Sequence, residues 1–133
     1  MITPTALDRQ EELFARAFAN GDLEIARPLY HPEVVYLSPT VRLFDWPPRI
    51  EGRERTLEFI ALTIRATANI TYRAVEHAIF ASGEAAFVHV HFDWTRDDTR
   101  LRSSYVVIYR YREGLIGQQE IYYDPSGRLE TIG

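Results

Sequence analysis

From Ile70 onward the chain is one strand after another. "ITYRAVEHAIFAS" (70–82), "EAAFVHVHFDWT" (84–95), "RLRSSYVVIYRYR" (100–112) and "LIGQQEIYYD" (115–124) are separated only by turn residues at Gly83, Asp97–Asp98 and Gly114, with Pro125 after the last. Runs rich in β-branched and aromatic residues, punctuated by Gly, Asp and Pro, read as strands. Connections this short make each strand the antiparallel neighbour of the one before. A meander of this kind has an apolar face to bury, and the rest of the chain must cover it.

The first half supplies the cover. Leu7, Gln10, Leu13, Phe14, Ala17 and Phe18 recur at three-four spacing, which predicts a helix over the first 20 residues, stopped at Gly21. Asp22 is placed to cap a second short helix, "DLEIARPLYH", shortened by Pro28 and ending near His31. "EVVYLS" (33–38) reads as a strand, and "RERTLEFIALTIRATA" (53–68) as a third helix. Between them, "PTVRLFDWPPRIEG" (39–52) is a loop carrying Phe44 and Trp46, aromatics that a loop exposes only at a cost, so it is expected to fold over the body as a lid. Helices first and strands afterwards make an α+β chain, read as one domain over 1–133.

Strand parity assigns the faces. Val88, Val90, Phe92 and Trp94 alternate with His89, His91 and Asp93, so the two histidines and the aspartate point away from the helices. A two-residue turn at Asp97–Asp98 sets Trp94 opposite Leu101 and Asp93 opposite Arg102. A three-residue loop over 112–114 sets Tyr105 opposite Ile121 and Arg102 opposite Asp124. The outer face then mixes Val106, Ile108, Ile116 and Tyr122 with His89, His91, Ser104, Gln118 and Glu120. A face that apolar is expected to meet a partner, and a homodimer through His89, His91, Val106, Ile108 and Tyr122 is the expectation.

Composition narrows the classes. There is no cysteine, which excludes disulfides, thiolate nucleophiles and Cys-ligated metals, and a net charge of -4 offers no footprint for nucleic acid or an acidic membrane. The His-x-His pair would need further ligands on a neighbouring strand to hold a metal, and only Glu120 is on offer there; no metal and no other cofactor are expected. No apolar run reaches membrane-spanning length and no signal peptide is visible, so the chain reads as soluble and cytoplasmic.

"FARAFANGDLEIARPLYHPEVVYLSP", "EGRERTLEFI" and "VVIYRYREGLIGQQEIYYDPSG", taken in order, resemble the NTF2-like superfamily and its SnoaL-like branch. The resemblance implies a cone: a highly curved antiparallel sheet wrapped round three N-terminal helices, with a pocket between sheet and first helix, commonly in a dimer. Carried over by position, the tyrosine, general base and second acid of the ketosteroid isomerases fall on Phe14, Ser38 and Val107, and the final-strand aspartate of the limonene-epoxide hydrolases falls on Ile121. Neither chemistry is expected from those residues, since none offers an acid or a base.

By parity and by the resemblance, the pocket is expected to be lined by Phe14, Tyr36, Ser38, Phe59, Val90, Phe92, Trp94, Tyr105, Val107, Tyr109, Gln119, Ile121 and Tyr123, with Phe44 and Trp46 at its mouth. Such a lining suits a small, mostly apolar ligand. Two functions stay open: a binding protein without catalysis, or a cofactor-independent isomerase, cyclase or dehydratase acting on a polyketide- or steroid-like molecule. The titratable candidates for the second are His77, Tyr36 and Tyr105, and the face of His77 is not fixed by its poorly alternating strand.

Overall fold

A computed structural model describes residues 1–124 and 129–132; Pro125, expected to end the last long strand, lies outside them. Helix α1 spans Pro4–Asn20, begun by Thr3, whose hydroxyl accepts from the Ala6 N–H at 3.1 Å, and ended by Gly21 in the left-handed region. Helix α2 spans Arg53–Arg65. The strands are β1 (Tyr30–Leu37), β2 (Ile50–Glu51), β3 (Ala68–Ile79), β4 (Ala85–Arg96), β5 (Thr99–Arg112), β6 (Leu115–Tyr123) and β7 (Glu130–Thr131). They form one sheet in the order β2-β1-β6-β5-β4-β3, with β7 on β5; β1 and β6 run parallel and the other pairs antiparallel. The helices pack in the concavity of this curved sheet, an α+β architecture of the NTF2-like cone type.

The expected second helix is instead two 3-10 turns, Leu23–Ile25 and Arg27–Leu29. Asp22 does cap the first, accepting from the Glu24 N–H at 3.1 Å. Pro28 has no N–H to donate and disfavours helical geometry at Arg27, so the chain cannot propagate a helix and turns extended at Tyr30. His31 is therefore a buried strand residue, not a helix end. The 39–52 loop holds a further 3-10 turn, Pro39–Phe44.

The β4–β5 register is the expected one, with Trp94 opposite Leu101 and Asp93 opposite Arg102 across the left-handed Asp97–Asp98 turn. The β5–β6 register is displaced by two residues. The turn at Glu113–Gly114 holds two residues, and a bulge at Gly117 adds one more, so Tyr105 faces Tyr123 and Val107 faces Ile121. A side chain at 117 would press Arg112 Cβ at 2.9 Å, so the bulge requires glycine. A displacement of two keeps the faces of the strand beyond the bulge, but Ile116, before it, switches sides and is buried in the core. Arg102 faces Glu130 of β7 and not Asp124, while its guanidinium grips Asp93 with two bonds of 2.8 and 3.0 Å. Glu120 faces Ile108 and not Val106.

In β3, Val75 is the extra residue of a second bulge, because Ala74 faces Val90 and Glu76 faces His89. This is why its alternation fails in the sequence.

Candidate functional site

Between the concave sheet, α1 and α2 lies a cavity of about 470 Å³. Alternate inward positions of β4, β5 and β6 build its far wall: Phe92 and Trp94, then Tyr105, Val107 and Tyr109, then Gln119, Ile121 and Tyr123. Phe14 and Phe18, one turn apart on α1, close one side, and Ile60 and Thr63 of α2 another. Tyr36 and Tyr30 of β1 reach in from below, and Thr40, Leu43 and Phe44 form the lip.

Phe59, Ser38 and Val90, expected on the wall, and Trp46, expected at the mouth, stand behind it. Phe59 is fully buried, its ring 5.7 Å from Tyr36, 5.8 Å from Phe44 and 5.1 Å from Trp46, so it is the post on which the 39–46 lip rests. Trp46 packs on that post with the Arg55 guanidinium 4.2 Å over its outer face, and so does not close the mouth. Ser38 is buried with its hydroxyl 2.7 Å from Thr40 Oγ1. Val90 likewise lies in the core outside the lining. His77 faces the helix side, opposite Val88, but beyond the cavity at the first turns of α1, where Nε2 lies 3.2 Å from Asp8 Oδ1.

The polar inventory of the wall is short. Tyr30 is fully buried and donates its hydroxyl to Gln119 Oε1 at 2.7 Å, which fixes both side chains. Tyr105 and Tyr109 are buried residues whose hydroxyls meet no hydrogen-bonding side chain among the described residues. Burial pushes the hydroxyls of Tyr30, Tyr36, Tyr72, Tyr105 and Tyr109 up from the ordinary tyrosine value, so all five are neutral donors at physiological pH. Among the described residues of the wall no Asp, Glu or His appears, and Arg96 is the one charged side chain.

A carboxylate does stand one layer behind. Glu11 is 6% exposed; its Oε1 accepts from the Tyr72 hydroxyl at 2.6 Å and its Oε2 from Gln10 Nε2 at 2.9 Å. Gln10 Oε1 in turn accepts from the Tyr111 hydroxyl at 2.7 Å. Burial raises the Glu11 carboxyl above its ordinary value against the opposing pull of these donors and of His77. Sequence reasoning passed over Glu11, although its place four residues after Leu7 and three before Phe14 put it on the buried stripe. Tyr72, which lines the cavity, was hidden by the β3 bulge, and Tyr30 by the expectation of a helix there.

On the convex face, His89 and His91 lie with ring centroids 5.3 Å apart, His89 Nδ1 is 3.6 Å from Glu76 and His91 Nδ1 is 3.2 Å from Arg73. No group of three or more His, Asp or Glu side chains among the described residues is placed to hold a metal. Glu120, 7% exposed, accepts from Arg110 Nε at 2.8 Å, from the Tyr122 hydroxyl at 3.0 Å and from Gln118. Its burial would raise its pKa, but these donors hold it below the ordinary value.

Residues 11–118 match the SnoaL-like domain, and the chain belongs to that family. Solved structures share the fold at low identity. TsrD from Streptomyces laurentii is 17% identical, covering 96% of this chain and 94% of its own, with a TM-score of 0.77. SalBIII, described as an epoxide hydrolase/cyclase-like enzyme in pyran ring formation of the polyether salinomycin, is 16% identical over 95% of this chain and 98% of its own, with a TM-score of 0.71. A hypothetical protein with a ketosteroid isomerase-like fold from Catenulispora acidiphila is 14% identical over 94% of this chain and 89% of its own, with a TM-score of 0.69. No curated protein matches the chain by sequence. No described helix is long and apolar enough to cross a membrane.

Proposed function

We propose that this protein binds a small, flat, mostly apolar molecule carrying one or two oxygens, of polyketide- or steroid-like character, inside the aromatic cavity. One observation carries the reading: a space of about 470 Å³, walled by aromatic rings, in which the Tyr105 and Tyr109 hydroxyls have no hydrogen-bond partner among the described residues. Small-molecule pockets occupy roughly 300–1,000 Å³ and combine an apolar wall with a few placed polar groups. Buried hydroxyls without a partner stabilise a guest that accepts their hydrogen bonds. Titration with the neutral fluorophore N-phenyl-1-naphthylamine tests it: saturable binding at one site per chain is expected, abolished by Thr63→Trp, which adds an indole at the half-buried α2 side of the cavity. Absence of saturable binding, or binding indifferent to Thr63→Trp, would refute the reading.

A second reading, acid–base catalysis of the isomerase or cyclase type, is favoured by the Glu11–Tyr72 pair, in which a buried carboxyl accepts from the hydroxyl of a wall residue. Its test is base-catalysed ring opening of 5-nitrobenzisoxazole in the cavity. Rate enhancement lost in Glu11→Gln supports it, and no enhancement over buffer removes it.

We also propose a homodimer through the convex face. Val106 and Ile108 are only half-buried there, and Tyr122 is 54% exposed. Ile108→Glu is expected to leave a monomer in sedimentation velocity; a wild-type chain that sediments as a monomer rules the dimer out.

A further inference from the structure

The cavity has one charged side chain among its described wall residues, and it sits at the mouth. Arg96 is the last residue of β4, exposed, with its guanidinium 5.6 Å from the centre of the Trp94 ring. That ring is itself held, because Trp94 Nε1 donates to Ser103 Oγ at 3.3 Å, and both Trp94 and Ser103 belong to the wall. A cation lying near an aromatic face is restrained without being neutralised. Among the described residues Arg96 has no ion pair, although Asp97 and Asp98, the two turn residues at positive φ between it and Thr99, follow it directly. The contrast with other arginines is informative. Arg102 is spent on Asp93, Arg110 on Glu120, and Arg100 on Thr71 and the Asn69 carbonyl. Around Arg96 the mouth is apolar, with Leu43 78% and Leu129 43% exposed.

Resting on the cavity reading above, we infer that the ligand is an amphipathic organic anion, its apolar ring system among the aromatics and a carboxylate or comparable acidic group at the mouth against Arg96. The chemistry follows from the layout. A chain of net charge -4 repels anions as a whole, so an acidic ligand needs a local cation to enter, and the mouth is where this one stands. A guanidinium presents a planar fork of N–H donors that matches a carboxylate in two-point contact. The exposed leucines give the same mouth an apolar rim over which the ring system passes.

A matched pair of probes separates this inference from the reading it rests on: N-phenyl-1-naphthylamine, neutral, and 8-anilinonaphthalene-1-sulfonate, similar in its rings but anionic. Each is titrated by fluorescence against the full chain and against Arg96→Gln and Arg96→Lys. With the modest strength of an exposed ion pair, Arg96→Gln is expected to weaken the sulfonate by up to roughly fivefold and leave the neutral probe unchanged. Arg96→Lys is expected to recover most of the loss, and raising the salt concentration to narrow the gap between wild type and Arg96→Gln. Equal affinity of the sulfonate for wild type and Arg96→Gln overturns the inference while the cavity reading stands. Parallel weakening of both probes also overturns it, since Arg96 would then act through packing at the rim. Failure of both probes to bind the wild type overturns the cavity reading and this inference together.

Discussion

Two parts of the interior are rich in tyrosine and are finished in opposite ways. Under the first turns of α1, the hydroxyls of Tyr72 and Tyr111 are both consumed, one by Glu11 and the other by Gln10, and Gln10 and Glu11 bind each other. Around the cavity, Tyr105 and Tyr109 are as deeply placed, yet their hydroxyls meet no described side chain that could satisfy them. The sheet offers tyrosine to both regions; α1 makes the difference. It presents Gln10 and Glu11 to the first and, one turn on, Phe14 to the second, its ring 6.0 Å from that of Tyr109. A buried polar group with an internal partner specifies packing, whereas one without waits for water or a guest. The closed region serves the packing of the fold, and the open one is where the proposed guest would sit.

The strongest way to break this contrast is to delete one hydroxyl in each region. Tyr72→Phe leaves the buried Glu11 short of a donor and is expected to cost about 1–3 kcal/mol in urea denaturation. Tyr105→Phe removes a hydroxyl with no hydrogen-bond partner among the described residues and is expected to stay within about 0.5 kcal/mol of wild type. Equal costs would erase the distinction.

The reverse ranking is expected in binding. With 2-naphthol and naphthalene as probes, a guest hydrogen bond of about 0.5–1.5 kcal/mol gives Tyr105→Phe a roughly two- to tenfold loss for 2-naphthol alone. Tyr72→Phe is expected to leave the ratio of the two affinities unchanged, because its hydroxyl is engaged by Glu11.

A smaller effect checks the convex face, where polar groups are also satisfied internally. Asp93→Asn breaks a two-bond ion pair that is only partly shielded from water, so about 1 kcal/mol or less is at stake. The Arg102 guanidinium hydrogen-bonds the Asp93 carboxyl and holds it below its ordinary value. The stability it contributes is thus present above the unfolded carboxylate range and is lost as pH falls through the folded pKa. Stability curves of wild type and Asp93→Asn should therefore converge at low pH.

Glu11 has the opposite sign and gives the finest test. Burial raises its pKa in the folded chain above 4.5, so the folded state prefers the proton and loses stability as pH rises from the unfolded value through the folded one. Glu11→Gln keeps an acceptor for Tyr72 and carries no charge. It is expected to gain on wild type with rising pH over that window, read by thermal denaturation at a series of pH values. A difference independent of pH would mean that Glu11 is not the strained member of its cluster.

Much of this layout is legible in the residues themselves. Alternation in 88–94 and 101–111 assigns the inner and outer faces of β4 and β5, because a strand has period two whatever it packs against. The Asp97–Asp98 turn gives the β4–β5 register, since two left-handed residues permit only one short hairpin. The wall residues Phe14, Tyr36, Phe92, Trp94, Tyr105, Tyr109, Gln119 and Tyr123 follow from parity and the resemblance together.

What only the tertiary structure decided lies where periodicity breaks or where depth matters. A bulge changes parity without a clear mark in the sequence: at Gly117 it moved the β5–β6 register and buried Ile116, and at Val75 it set the direction of His77 and helped conceal Tyr72. Pattern says which way a side chain points but not what stands in front of it, so Phe59, Ser38 and Val90 faced the right way and still fell behind the wall. Glu11 sat on the buried stripe by spacing, yet its burial needed a donor from a strand 61 residues further on, the Tyr72 hydroxyl. Local rules propagate along the chain and are written in it; cavities and buried hydrogen bonds are made between distant segments, and exist only once those segments meet.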